Sequence, residues 1–173
     1  NNQTLRSYFT WDISTNSWFE SQKWEYTYDA NNNQTLYTYF TWYISANSWI
    51  ESSKAEYTYD ANNNQTLEGY YYWDVSTNSW IGSSKQEYTY DANNNQTLFV
   101  NYSWDVSTNS WLEWQKREYT YDANNNLTLC TYFTWDISAN SWLESFKAEY
   151  TYDANNNQTL FVNYSWDVST NSW

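Results

Sequence analysis

The residues best suited to chemistry in this sequence lie in a recurring segment, YTYDANNN. In its first copy Asp29, Asn31 and Asn33 have the spacing with which calcium-binding loops begin, and their side-chain oxygens suit that ion. The segment lacks the central glycine of such loops, since Gln34 stands there, and Phe40 replaces the bidentate glutamate. Asp29, Asn31 and Asn33 are thus a calcium candidate, and a metal-free turn is the simpler interpretation.

Catalysis finds little support in the residue types. The chain has no histidine and one cysteine, and each candidate acid recurs in equivalent positions of several copies. Enzymes instead place a base, acid or nucleophile in one distinct pocket. Asp12 is even replaced by Tyr43 in the second copy. We therefore expect no catalytic residues, no cofactor and no enzymatic activity.

Asparagine also offers a modification site, because Asn-x-Ser/Thr is the acceptor sequence for N-linked glycans. Two sequons, at Asn101 and Asn163, lie outside the position that recurs in every copy. A chain rich in Asn and Thr also forms such sequences by accident, so attached glycans and bare sequons both remain open. The sequons that recur in register are at Asn2, Asn33, Asn64, Asn95, Asn126 and Asn157.

The charge of the chain excludes several classes of partner. Its formal net charge is −13, which repels nucleic acid and anionic membrane surfaces. No apolar run approaches the roughly 18 residues of a membrane span. Aromatic residues make up 24% of the chain, which argues against disorder. A single cysteine excludes a disulfide framework.

The organisation of the chain is a tandem repeat of 31 residues without insertions or deletions. Trp11 and Trp18 recur at this period to the end of the sequence. We interpret residues 1–173 as a single tandem-repeat array of five full units plus a partial unit of 18 residues. Because it begins and ends within a unit, we expect it to be an excerpt of a longer chain.

Each unit reads as two strands and two turns. Segments such as QTLRSYFTWDIS and WFESQKWEYTY are dense in aromatic and β-branched residues and lack a helical period. STNS (or SANS) and DANNN separate them, and Asn and Asp favour turns. The predicted fold is all-β, with tandem 31-residue β-hairpin repeats that form a solenoid-like or ribbon-like extended antiparallel sheet.

Variation between the copies predicts which side chains form the core. Leu5, Phe9, Trp11 and Ile13 occupy slots that stay apolar in every copy, whereas the slot of Arg6 varies freely. Since strand residues alternate between faces, the fixed set predicts one buried face. The core residues predicted in the second unit are Leu36, Phe40, Trp42, Trp49, Tyr57 and Tyr59.

The odd repeat length predicts two different turns. If neighbouring strands are antiparallel and equivalent residues share a face, one loop is even, and the other is odd or carries a bulge. Thr15-Asn16 suits the even loop, and DANNN suits the odd one because asparagine tolerates positive φ. The register that follows places Leu5 beside Tyr26, Ile13 beside Trp18, and Trp11 beside Glu20.

The segment YTYDANNN, together with the paired tryptophans, resembles the Tyr-Asp (YD) repeat of secreted bacterial surface proteins, related to Rhs and teneurin repeats. It is most similar to Bacteroidetes-type arrays, in which YTYDANGN precedes a strand and a W-D…N-S-W hairpin. The resemblance implies an extracellular or cell-surface location. The usual glycine of that turn is replaced here by Asn32, Asn63, Asn94, Asn125 and Asn156.

These observations predict a structural protein that self-associates into a fibre, stalk or sheath. One alternative is a multivalent adhesin that binds carbohydrate, and another is part of an Rhs-like shell. Lys23 and Glu25 recur together in every full unit; a solvated face is the simpler interpretation, and ion pairs that set register are the alternative. The aromatic residues that occur outside the fixed slots, as candidates for stacking on sugars, are Trp24, Trp114, Tyr72 and Phe146.

Overall fold

The computed structural model describes residues 2–167, 170 and 172–173. Its strands form one antiparallel sheet whose order across the sheet is the order along the chain, which confirms the all-β hairpin array. No helix in the described residues is long and apolar enough to cross a membrane. The strands are β1 (Leu5–Asp12), β2 (Ser17–Tyr28), β3 (Gln34–Tyr43), β4 (Ser48–Tyr59), β5 (Gln65–Asp74), β6 (Ser79–Tyr90), β7 (Gln96–Asp105), β8 (Ser110–Tyr121), β9 (Leu127–Asp136), β10 (Ser141–Tyr152) and β11 (Gln158–Ser165).

The chain divides into two compact units, Asn1–Lys85 and Gln86–Trp173, and each is described by itself. In the first unit, β1 joins β2 through residues 13–16, and β2 joins β3 through residues 29–33. We name these loops and their equivalents the hairpin tip and the asparagine turn. The tip loop has four residues and the asparagine turn five, so the predicted difference in parity is confirmed.

Asparagine supplies the left-handed residue of both turns, as predicted. Asn16 has φ of 52° at the first hairpin tip, and Asn32 has φ of 68° in the first asparagine turn. Asn32 stands where the similar YD arrays have glycine. The equivalent residues in later copies also have positive φ, at 49–53° in the tips and 63–68° in the asparagine turns. Since asparagine adopts this conformation with less strain than most residues, the turn forms without glycine.

The predicted register is wrong by one residue at Leu5 and by two residues at Trp11. Leu5 lies opposite Glu25, and Trp11 lies opposite Trp18, while Ile13 belongs to the tip loop. The tip loop has four residues instead of the expected two, which shifts the pairing by two residues, and a bulge at Ser21, where the pairing passes from Tyr8–Gln22 to Phe9–Glu20, removes one residue of that shift. A second shift, in the pairing of β2 with β3, lies beside the asparagine turn. A prediction without bulges could not place both pairs.

The sheet has two aromatic faces of different character. Paired residues lie on the same side of a sheet, so the pairings assign each side chain to a face. The tryptophan–lysine face of the first unit carries Leu36, Phe40, Trp42, Trp49, Lys23 and Lys54. The tyrosine face carries Trp24, Tyr26, Tyr37, Tyr39, Tyr57 and Tyr59.

The expectation of one buried face is wrong. Among the described residues, no large side chain is fully buried. The six predicted core residues are half-buried, and they divide between the two faces. The most deeply buried side chains are small, such as Ala55 at 0% exposure and Ala148 at 3%. The strands belong to one sheet, so each side chain is covered by its in-plane neighbours, which enclose a small residue better than a tryptophan.

Candidate functional site

The calcium candidate is a closed hydrogen-bonded turn. Asp29 Oδ1 accepts bonds from the backbone N–H groups of Asn31 (2.9 Å) and Asn33 (2.8 Å). Asp29 Oδ2 accepts a bond from Asn33 Nδ2 at 3.0 Å. These donors, with the Asn33 side chain first, hold the pKa of Asp29 below its ordinary value of 3.8. The same geometry recurs at Asp60, Asp91, Asp122 and Asp153.

The N–H donors around Asp29 occupy the carboxylate oxygens that a cation would need. A calcium ion needs several oxygen lone pairs directed at one point. Here both carboxylate oxygens of Asp29 face N–H donors, and Asn33 presents its nitrogen. In the described residues, no group of three or more His, Cys, Asp or Glu side chains converges. Asp29, Asn31 and Asn33 are therefore brought together to close the turn.

Consecutive asparagine turns are joined by their amide side chains. In the first unit Asn2 Nδ2 donates to Asn32 Oδ1 at 3.1 Å, and Asn33 Nδ2 donates to Asn63 Oδ1 at 2.8 Å. In the second unit Asn95 donates to Asn125 at 2.9 Å, and Asn126 donates to Asn156 at 3.0 Å. The resulting amide ladder links each of these turns to the turn of the next repeat.

The three asparagines of the turn thus have separate roles. Asn31 contributes its backbone N–H to Asp29, Asn32 adopts the left-handed conformation and accepts the ladder bond, and Asn33 donates it. Sequence reasoning predicted the turn and missed the ladder. The available signal was Asn32, because glycine is the easiest residue at positive φ and an invariant asparagine there indicates a use for its side chain.

The ladder engages atoms to which a glycan would attach. N-linked glycosylation replaces one hydrogen of Nδ2. Asn33 Nδ2 donates to both Asp29 and Asn63, so modification would displace one bond. Asn126 Nδ2 likewise donates to Asp122 and Asn156. Glycosylation at these sequons would therefore cost the turn part of its hydrogen bonding.

The hairpin tips are held by a carboxylate and an aromatic pair. Asp12 Oδ1 accepts from the backbone and hydroxyl of Ser14 (2.8 and 2.7 Å), and Oδ2 accepts from Thr15 at 2.9 Å. The Trp11 and Trp18 rings meet edge to face with centroids 5.4 Å apart. In the next tip Tyr43 replaces the aspartate, provides no side-chain cap, and leads into a short 3-10 turn.

Lysine is built into the tryptophan–lysine face. Lys23 forms an ion pair with Glu25, and its Nζ lies 4.4 Å from the ring centroid of Phe40 and 5.2 Å from that of Trp49. The two aromatic rings belong to β3 and β4, so one cation joins three strands. Lys54 repeats the arrangement in the first unit, and Lys116 and Lys147 repeat it in the second.

The four candidates for sugar stacking differ in exposure. Trp24 stacks on Tyr39 with centroids 4.6 Å apart, and Phe146 packs edge-on against Tyr132. Both rings therefore have aromatic neighbours and are half-buried. Trp114 and Tyr72 are 50% and 45% exposed. Only the latter pair presents an open aromatic surface.

Comparison with known proteins identifies structural neighbours and no family. No family model matches the sequence, and no curated protein matches it. A protein of unknown function from Bacteroides fragilis has a TM-score of 0.51 at 16% identity, over 73% of this chain and 91% of that chain. A DUF3836 family protein from Bacteroides vulgatus has a TM-score of 0.42 at 19% identity, over 64% and 98%. TcdB2-TccC3 has a TM-score of 0.47 at 16% identity, over 96% of this chain and 10% of that chain. At these identities the first likeness concerns the fold alone.

Proposed function

We propose that this chain is a structural segment of an extracellular or cell-surface protein of the YD-repeat type, that it builds a fibre, stalk or sheath, and that it is not an enzyme. The observation that carries the proposal is the amide ladder, in which Asn33 bonds the turn of its own repeat and the turn of the next. Each added repeat adds one more contact of this kind. Arrays stabilised by contacts between neighbours are typical of elongated scaffolds.

The side chains support a mechanical role. Lys23 joins three strands through two aromatic rings, and Trp11 and Trp18 close the tip of their hairpin. Cation–aromatic and aromatic pairs each contribute about 0.5–1.5 kcal/mol, so strength accumulates with repeat number. Separation of two hairpins then requires several of these contacts to break together.

The test uses chains with different numbers of repeats. Each repeat adds two strands, so the longest dimension in small-angle X-ray scattering should grow by about 10 Å per repeat. Thermal stability should rise with the first added repeats and then level off. Concentrated samples should form filaments in electron micrographs. A closed hollow particle, or a length that is independent of repeat number, would refute the proposal.

A multivalent carbohydrate-binding adhesin is the second candidate. It is supported by the exposed Trp114 and Tyr72, whose rings are free enough to stack on a sugar. Glycan-array binding that is lost in Trp114→Ala and kept in Trp24→Ala would favour this function. Trp24 is the matched control because its ring is stacked on Tyr39.

A further inference from the structure

In the first unit, one phenol has a carboxylate as its hydrogen-bond acceptor. The Tyr70 hydroxyl donates to Glu68 Oε1, and Glu68 Oε2 accepts a bond from Gln65 Nε2 at 3.1 Å. The bond to Glu68 is the first cause of the raised pKa of Tyr70, because it favours the protonated phenol. Tyr70 therefore keeps its proton at neutral pH, and Glu68 is placed to accept that proton when the ring is oxidised.

A second phenol lies beside this pair on the neighbouring strand. Tyr57 of β4 is paired with Glu68 of β5, so Tyr57, Glu68 and Tyr70 lie on the tyrosine face. The hydroxyls of Tyr57 and Tyr70 are close enough to hydrogen-bond, and burial is the first cause that raises the pKa of Tyr57 to about 12. Both rings are half-buried and can be reached by a small solute. Two protonated phenols and one proton acceptor therefore meet where two hairpins adjoin.

The copies of the Tyr70 slot show what distinguishes this tyrosine. Loss of an electron makes a phenol strongly acidic, so oxidation is fastest where a base accepts the proton. Four copies carry tyrosine in this slot, and only Tyr70 follows a carboxylate residue two positions earlier. The four pairs are Arg6 and Tyr8, Tyr37 and Tyr39, Glu68 and Tyr70, and Cys130 and Tyr132.

Other phenols that bond to glutamate lack a tyrosine as their cross-strand partner. These are Tyr71, Tyr102 and Tyr164, and the residues paired with them are Lys54, Glu113 and Lys147. A phenol with a proton acceptor and a phenol with which it can couple are therefore combined at Tyr57 and Tyr70.

We propose that Tyr57 and Tyr70 are a site of oxidative coupling, at which hydrogen peroxide and a peroxidase-type one-electron oxidant join the two rings as dityrosine. The oxidant removes one electron from Tyr70, and the phenol proton passes to the Glu68 carboxylate. A second oxidising equivalent removes one electron from Tyr57, whose proton leaves to solvent.

The two radicals then form a carbon–carbon bond between the ring positions ortho to the hydroxyls. The hydrogens of those two carbons move to the oxygens and restore both phenols, and Glu68 releases its proton to solvent. Two electrons and two protons have left the chain, and they reduce one hydrogen peroxide to two waters.

The new bond would tie consecutive hairpins together. Tyr57 and Tyr70 lie on either side of the asparagine turn of residues 60–64, so coupling would close that turn covalently and keep β4 from separating from β5. This mechanical use rests on the proposed structural function. The coupling itself does not, since it is measured on the dilute single chain, and its failure would leave the repeat-number test of that function unaffected.

The coupling is tested with the full chain, oxidised to a small extent by ruthenium(II) tris(bipyridine), persulfate and light. The monomer should lose the mass of two hydrogen atoms and gain dityrosine fluorescence. Cleavage before aspartate separates residues 29–59 from residues 60–73, so the coupled chain should yield these two peptides joined. Tandem mass spectrometry should place the bond at Tyr57 and Tyr70. A first dityrosine at other positions, or none in the monomer, would overturn the proposal.

Two pairs of variants test the roles of the residues. Tyr70→Phe should abolish the joined peptide, whereas Tyr39→Phe, in the same slot without a carboxylate, should leave its yield unchanged. Glu68→Gln should slow the coupling by about tenfold or more, because the amide is a poor proton acceptor. Its charge-matched control, Glu51→Gln, should stay within about twofold, because only the screened overall field changes.

Far-UV circular dichroism and melting temperature report whether each variant is folded. Coupling in folded Glu68→Gln at the rate of the parent chain would refute the role of Glu68. An equal loss of the joined peptide in Tyr39→Phe and Tyr70→Phe would refute the assignment of the site.

Discussion

Asn63 allows the backbone and side-chain roles of the asparagine turn to be separated. It has φ of 66°, and its Oδ1 accepts the ladder bond from Asn33 at 2.8 Å. Asn63→Ala removes the acceptor and places an alanine in the left-handed region. Asn63→Gly removes the same acceptor and relieves the backbone. Asn62→Ala is the matched control, because in the described part of the chain Asn62 bonds Asp60 only through its backbone N–H.

The magnitudes follow from these two roles. A left-handed residue other than Gly, Asn or Asp costs about 1–2 kcal/mol, and a lost hydrogen bond costs about 0.5–1.5 kcal/mol. Asn63→Ala should therefore lower the free energy of unfolding by about 1.5–3.5 kcal/mol, the sum of both terms. Asn63→Gly should lower it by about 1 kcal/mol or less, because only the hydrogen bond is lost. Asn62→Ala should stay within about 0.5 kcal/mol of the parent chain.

Urea denaturation followed by tryptophan fluorescence measures all three variants, with m-values compared to check that the transition keeps its cooperativity. The order of midpoints should be Asn62→Ala, then Asn63→Gly, then Asn63→Ala. If Asn63→Gly is as unstable as Asn63→Ala, the positive φ carries no cost and the backbone argument fails. If Asn63→Gly matches Asn62→Ala, the ladder bond contributes nothing.

Four further outcomes are expected. Tyr43→Asp should raise the urea midpoint because it restores the tip carboxylate, and Asp74→Tyr should lower it by removing three bonds. Hydrogen bonds led by the Asn33 side chain lower the pKa of Asp29 below 3.8, so its contribution to stability should be complete well above pH 3.8, and the melting temperature should fall as the pH drops through and below that value. Burial raises the pKa of Tyr57 from 10.0 to about 12, so stability should decline above pH 10, and Tyr57→Phe should reduce that decline. Calcium or a chelator should leave the melting curve unchanged, since the oxygens of Asp29 already accept N–H bonds; a rise of several degrees with calcium would contradict this.

Much of the fold could be predicted from the period and the turn residues. The odd repeat length required two loops of different parity, and the asparagines indicated where positive φ would occur; both are present. The exact pairing could not be predicted, because a bulge at Ser21 leaves no distinctive residue in the sequence. That slot holds serine in four copies and Trp114 in the fifth, so its backbone geometry does not require one residue type.

The sequence also could not predict how far each face of the sheet is buried. Fixed apolar slots are a sign of a core when a second layer covers the sheet. In this sheet Phe40 and Trp42 are fixed by contacts within their own face, such as Lys23 over Phe40 and the edge-to-face packing of Trp42 on Trp49. The residues in the fixed slots are therefore in contact with one another, as expected, but they are not deeply buried. The sequence argument assigned Asn33 to its own turn only. Its second bond was missed because it reaches a residue 30 positions away.

The tip cap and the amide ladder differ in how far their slots vary between copies. Asp12 caps its own hairpin tip by bonding Ser14 and Thr15. In the next copy the slot of Asp12 becomes Tyr43 and that of Thr15 becomes Ala46. Asn33 reaches the next repeat, and its slot is asparagine in every copy. Loss of a tip cap destabilises one hairpin tip only, whereas loss of a ladder residue removes a hydrogen bond between two neighbouring repeats. In a sheet without deeply buried large side chains among its described residues, the shared bonds carry a larger part of the stability. The ladder slots of Asn32 and Asn33 therefore stay asparagine, whereas the tip slots of Asp12 and Thr15 can change in individual copies.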